Sequence, residues 1–206
     1  TPAPTLSGAS CPPRVPRRSR RRQSNSPPLT LADYLVWSIQ RYACRPVANR
    51  CRKNLAQFVA EYHAVENDQQ LLREIRNDID SNLRRYHEYC IEQRDGMLAH
   101  YHEVGADAEC DFEHLIPASR VRDLLIAGAV TVEQALNAPT VRLSRAKHVM
   151  LKEAGWAAKT PNMWLPFERY TNVFEAEFET HDGRRIDPTT WTLEQHYTYF
   201  NHLVIN

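Results

Sequence analysis

The stretch Cys110-Asp-Phe-Glu-His-Leu-Ile-Pro117 decides how the rest of the chain is read. It comes after two punctuating glycines, Gly96 and Gly105, has β character, and stops at a proline, so it predicts a short strand. Glu113 and His114 are consecutive on that strand. Their side chains therefore leave it on opposite faces unless a bulge or a local twist brings them together.

Upstream, Thr30-Leu-Ala-Asp33 has the form of a helix cap followed by a first-turn acid, and Leu35, Ile39 and Tyr42 recur at helical spacing, predicting a short helix that ends before Pro46. From Asn54 to about Arg94 the apolar positions Leu55, Phe58, Val59, Tyr62, Leu72, Ile75, Ile79, Leu83, Tyr86 and Cys90 keep a period of three to four residues without Pro or Gly. That is one long helix or two, with the break expected near Glu66-Asn67-Asp68. The aromatics and histidines of this region (Tyr62, His63, Tyr86, His87, Tyr89) invite a metal or stacking role, but a packed amphipathic face accounts for them, and the region is assigned to scaffold.

Downstream, residues 119–160 read as a mainly helical insertion: Val121–Ala127, then Thr131–Leu136 with Thr131 as cap and Glu133 in the first turn, then Ser144–Ala154 ending at Gly155. Asn162-Met-Trp-Leu-Pro-Phe167 is a second strand candidate with a helix over Glu168–Glu179 behind it. Turns are expected at Asp182-Gly183 and Asp187-Pro188, and a last helix over Leu193–Leu203. The helix pair at Thr131 and Ser144 could mimic a DNA-reading helix-turn-helix, but neither helix is strongly basic.

The formal net charge of +1 conceals an asymmetry. Residues 1–53 hold eleven Lys and Arg against the single acid Asp33, and residues 54–206 hold fifteen against twenty-four. Residues 1–28, rich in Pro, Ser and Arg, cannot repay the entropy of ordering and are read as a flexible arm. Its run Arg17-Arg18-Ser19-Arg20-Arg21-Arg22 suits phosphate contact without sequence readout, and a solvated linker is the alternative. The five cysteines (Cys11, Cys44, Cys51, Cys90, Cys110) are odd in number and form no CxxC pair, which argues against a disulfide framework or a zinc ribbon. No window approaches the ~18–20 apolar residues of a membrane span, and the start lacks the apolar core of a signal peptide, so a soluble protein is expected. A chain beginning at Thr1 is compatible with a fragment or a processed product of something longer.

Phosphodiester hydrolysis needs a base to activate water and a cation to neutralise charge on the phosphate and the leaving oxygen. A carboxylate beside an imidazole suits both tasks. Glu113-His114-Leu115-Ile116-Pro117, followed by Asn162-Met-Trp-Leu-Pro-Phe-Glu-Arg-Tyr-Thr-Asn172, resembles the HNH (ββα-metal) endonuclease family over about residues 110–180. The resemblance implies a fold that is mainly α with a small ββα-metal finger. It divides the chain into the arm at 1–28, a helical scaffold at 29–108, and an HNH-like module at 109–206 with the helical insertion at 119–160.

By the same resemblance His114 is the general base, Glu113 a ligand of the divalent cation, Asn162 the residue that braces the finger, and Asn172 the last metal ligand. His181 competes for that last place, and His148 more remotely. Arg120, Lys147 and Arg169 are candidate phosphate clamps beside Arg20, Arg21 and Arg22, a solvated surface cation being the other reading of each. The implied cofactor is one divalent ion, Mg²⁺ before Mn²⁺, Zn²⁺ or Ni²⁺, and the substrate is nucleic acid, double-stranded DNA before RNA. Two departures from the compact family pattern stand out: roughly forty-five residues separate Pro117 from Asn162, and Asn172 stands where many members have His. The zinc-stapling cysteine pairs of many members are also absent.

A disordered leader ahead of a small nuclease module resembles the C-terminal toxin domains of bacterial polymorphic effectors, and phage or mobile-element enzymes are the other context. An effector would act in the cytoplasm of a target cell, be delivered by a larger carrier, and have a cognate immunity protein. The reading from a different class is a non-enzymatic nucleic-acid-binding or packaging protein working through its basic arm, with structural histidines.

Overall fold

The computed structural model describes residues 31–94, 97–106 and 109–203, with side chains from residue 44 onward. The Arg-rich arm and its Arg20, Arg21 and Arg22 lie outside the described residues. A long helix α1 (Leu31–Ala64) is followed by α2 (Gln69–His87), which runs on as a π-helical turn, Glu88–Glu92. The expected break is where the chain places it: Asp68 caps α2, its Oδ1 accepting from the backbone N–H groups of Gln70 and Leu71 at 3.0 Å each. The periodic face is buried as the spacing requires, with Ala48, Cys51 and Leu55 of α1 against Ile75, Ile79, Leu83 and Tyr86 of α2. The end expected before Pro46 does not occur. Proline removes one N–H bond and crowds the preceding turn, yet α1 continues through it and buries its next two turns.

Five strands follow: β1 (Tyr101–Glu103), β2 (Cys110–His114), β3 (Thr140–Ser144), β4 (Phe178–Thr180) and β5 (Arg185–Ile186). They form one sheet in the order β2-β3-β1-β4-β5, with β1 and β3 parallel and every other pair antiparallel. The architecture is therefore mixed α/β. β1, from the stretch expected to be helical scaffold, sits mid-sheet between β3 and β4. Helices α3 (Ala118–Ile126), α4 (Val132–Leu136) and α5 (Arg145–Glu153) match the three expected in the insertion, and α4 opens with a capping box between Thr131 and Gln134. A short α6 (Glu168–Thr171) and α7 (Leu193–Phe200, with a 3-10 turn to Leu203) complete the chain. Among the described residues no helix is long and apolar enough to cross a membrane.

Two further expectations fail in the second half of the chain. Asn162–Phe167 is a run of turns, not a strand: Asn162 Oδ1 accepts the Trp164 N–H at 3.0 Å, closing a local turn. The helix expected over Glu168–Glu179 stops at Thr171, and its second half becomes β4. Burial accompanies the switch: Phe178 is 1% exposed, packs on Phe167 and Tyr170 with ring centres 4.9 and 6.0 Å away, and pairs with β1 opposite Glu103. The antiparallel partner of β2 is instead β3, which runs directly into α5.

Candidate catalytic cluster at the β2 edge

β2 is the outermost strand of its sheet and is half-buried along its whole length. Its ladder with β3 is regular from Cys110 opposite Ser144 to His114 opposite Thr140. With no bulge, side chains alternate strictly. Asp111 and Glu113 leave one face, and Phe112 and His114, their rings 5.6 Å apart, leave the other. The distortion that would have turned Glu113 and His114 toward one point is absent.

On the carboxylate face, α5 brings His148 between the two acids, with Nδ1 2.7 Å from Asp111 Oδ2 and Nε2 3.3 Å from Glu113 Oε2. The hydrogen bond from His148 holds the Asp111 carboxyl below the usual range. Arg169 of α6 has no exposed surface, and its guanidinium donates to Glu113 Oε1 and, at 3.0 Å, to the Tyr170 hydroxyl. Burial opposes its charge, but Tyr170 and Glu113 more than offset this and hold Arg169 protonated. Arg145 reaches toward Asp111 from the rim at 3.7 Å.

On the other face, His114 Nε2 lies 2.8 Å from His87 Nδ1, and His87 Nε2 lies 3.0 Å from the Leu136 carbonyl. Burial pushes the His87 imidazole down to about 4 and His114 well below the ordinary histidine value, with the charges of Arg84 and Arg169 acting in the same direction. Both rings are neutral near pH 7.

The loop that joins α4 to β3 is anchored by Asn137. Its Oδ1 accepts from His100 Nε2 at 3.0 Å, its carbonyl from His196 Nε2 at 2.7 Å, and its amide donates to the Phe200 carbonyl at 3.2 Å. The chain continues inward: Tyr101 donates its hydroxyl to His196 Nδ1 at 2.8 Å, and Trp191 Nε1 donates to that hydroxyl at 2.7 Å. Each buried polar group of this set is thereby satisfied.

The other residues singled out in the sequence lie elsewhere. Asn172 is exposed at the C-terminal end of α6, and His181, at the β4–β5 turn, packs on Phe200; neither is a partner of Glu113. Asn162 serves its own turn. Arg120 is exposed on α3, 3.8 Å from Asp123, and Lys147 is tied to Glu103 at 2.7 Å. Arg169, buried, offers no free face to a phosphate. Asp111 and Asn137 were missed, and His87 was weighed for a metal or stacking role but assigned to scaffold; the Asp-x-Glu spacing two apart on a strand was the available signal for Asp111, and nothing local marks Asn137.

Neither a family model nor a characterised protein nor a solved structure matches this chain. The chemistry must be read from the site. Among the described residues no three His, Cys, Asp or Glu side chains already surround a common point as a cage. Asp111, Glu113 and His148 have the donor types a divalent cation takes, but both His148 nitrogens face the carboxylates and Arg169 holds Glu113 Oε1, so a cation would have to displace these contacts to be held there.

Proposed function

We propose that the chain is a metal-dependent nuclease whose reaction takes place across the open edge of β2, with DNA the expected substrate. The observation that supports this best is the division of labour across one strand: two carboxylates and His148 on one face, a neutral His114 on the other. In-line displacement at phosphorus has the attacking water and the leaving oxygen on opposite sides. A phosphodiester lying over the end of β2 would meet His114 on one side and the acids on the other. The alternation that argued against a shared point is thus compatible with a shared substrate.

Within this reading His114 takes the proton from the attacking water. Asp111, Glu113 and His148 hold the cation, which when bound supplies neutralising charge to the phosphate and the departing oxygen. Arg169 works through Glu113, fixing the carboxylate orientation and balancing its charge before a cation arrives. Asn137 replaces Asn162 as the brace, tying the strand that leads to α5 to β1 and α7 through His100 and His196, and His148 replaces Asn172. The order His, Asn, His along the chain is kept as His114, Asn137, His148. Delivery as the toxic end of a larger effector, with an immunity protein as partner, is part of the same proposal.

The test is incubation of the full chain with supercoiled plasmid in Mg²⁺ or Mn²⁺ and in chelator. Metal-dependent nicking or linearisation, lost in Glu113→Gln and His148→Ala proteins that remain folded, is the expected result. Retardation of the plasmid in a gel without any cleavage would favour the non-enzymatic binding protein.

A further inference from the structure

We infer that His87 is the positioning residue of His114, fixing the tautomer in which Nε2 of His114 carries the proton and Nδ1 is the free base nitrogen. The inference rests on the nuclease reading only for its consequence; the tautomer itself follows from hydrogen-bond bookkeeping.

A carbonyl oxygen accepts and never donates, so the 3.0 Å contact between His87 Nε2 and the Leu136 carbonyl requires a proton on that nitrogen. His87 has no exposed surface; it faces the Leu136 and Ala135 backbone and the His114 ring, and among the described residues no carboxylate bonds to it to stabilise a second proton. Neutral His87 therefore has a lone pair on Nδ1. His114 Nε2 lies 2.8 Å from it, and two lone pairs at that distance would repel, so His114 Nε2 must be the donor. One N–H per neutral ring then leaves His114 Nδ1 unprotonated. Among the described residues the hydrogen bonds of the His114 ring run through Nε2 and none through Nδ1, so the lone pair on Nδ1 is the base site. A general base must meet its water at that nitrogen, so the role requires water to reach this half-buried ring on the His114 face of β2.

The fold supplies the anchor. Leu136 ends α4, and the last carbonyls of a helix have no partner within it. His87, the last residue of α2, satisfies that carbonyl, so the proton direction at His114 is set from the junction of two helices. The role is the one a carboxylate or carbonyl usually plays behind a catalytic imidazole, taken here by a second histidine.

The experiment uses the full chain with ¹⁵N-labelled histidine and long-range proton–nitrogen correlation spectra near pH 7.5, where each ring nitrogen reports whether it bears a proton. His114 is expected as a single tautomer with protonated Nε2 and bare Nδ1, and His87 with the same pattern. In parallel, plasmid cleavage is followed in His87→Phe and His87→Gln proteins. The phenyl ring fills the space but accepts nothing and is expected to lower kcat by roughly 10- to 100-fold with the metal requirement unchanged, the usual worth of a partner behind a catalytic group. The glutamine side chain can accept from His114 and donate to Leu136, and should restore most of the rate. A proton on Nδ1 of His114 in the wild-type spectrum overturns the inference whatever the variants do, and so does a His87→Phe protein as active as wild type. Absence of cleavage in the wild type would sink the nuclease reading while leaving the tautomer to be read from the spectrum.

Discussion

Glu113 and Arg169 are fifty-six residues apart in sequence and form a charge pair in which the guanidinium has no solvent contact and the carboxylate keeps only 16% of its side-chain surface. Removing one partner of such a pair leaves the other charge buried and uncompensated, at a cost of about 3–5 kcal/mol. Arg169→Met should therefore destabilise the protein by that order in urea unfolding, and adding Glu113→Gln should recover part of the loss. A loss below about 1 kcal/mol for Arg169→Met would mean that water already reaches the pair.

Asn137→Ala and Asn162→Ala separate the two candidate braces. Asn137 is 3% exposed, and its side chain bonds to His100 and to the Phe200 carbonyl; each group left unpaired costs about 1–3 kcal/mol. Its replacement should lower the melting temperature clearly, with cleavage falling alongside. Asn162, which closes only its own turn, should lose no more than about 1 kcal/mol. Calorimetry of the two variants decides; equal effects would contradict the assignment.

Stability should fall on mild acidification. Burial holds His87 at about 4, His196 at about 3 and His100 well below the ordinary value of 6.5 in the folded chain. Below pH 6.5 the unfolded chain binds protons that the folded one refuses, so stability is intact above that pH and declines as pH falls toward about 4 and 3. By pH 5 the linkage is worth at most about 2 kcal/mol per histidine. Urea midpoints measured from pH 7.5 to pH 5 should drop steadily. Constant midpoints would show that these histidines are not buried neutral.

The helical part was legible because its signals are local. The spacing from Ile75 to Tyr86, the break near Asp68 and the cap at Thr131 need no knowledge of partners. β2 was legible from its composition, and its alternation forecast the opposite faces of Glu113 and His114, though not the part of Asp111. β3 was not, because Thr140, Val141 and Leu143 of a central strand are buried on both faces, so no two-residue period appears, and Ser144 read as the cap of the helix that follows. Missing β3 sent the partner strand of β2 to 162–167, and with it the proposed brace to Asn162. His87 lay on a face assigned to scaffold, and only the meeting of α2, α4 and β2 gives it a polar task.

The most direct measurement compares wild-type, His114→Ala and Glu113→Gln proteins, each shown to be folded, as Mg²⁺ and Mn²⁺ are titrated against plasmid cleavage. His114→Ala should cut the rate by about 10²–10⁴-fold at every metal concentration, with the metal midpoint unmoved. Glu113→Gln should shift the midpoint upward and regain rate at excess metal, because a lost ligand is a defect that mass action offsets. Wild-type cleavage that is absent, or that persists in chelator, or a His114→Ala protein that cuts at the wild-type rate, would contradict the account.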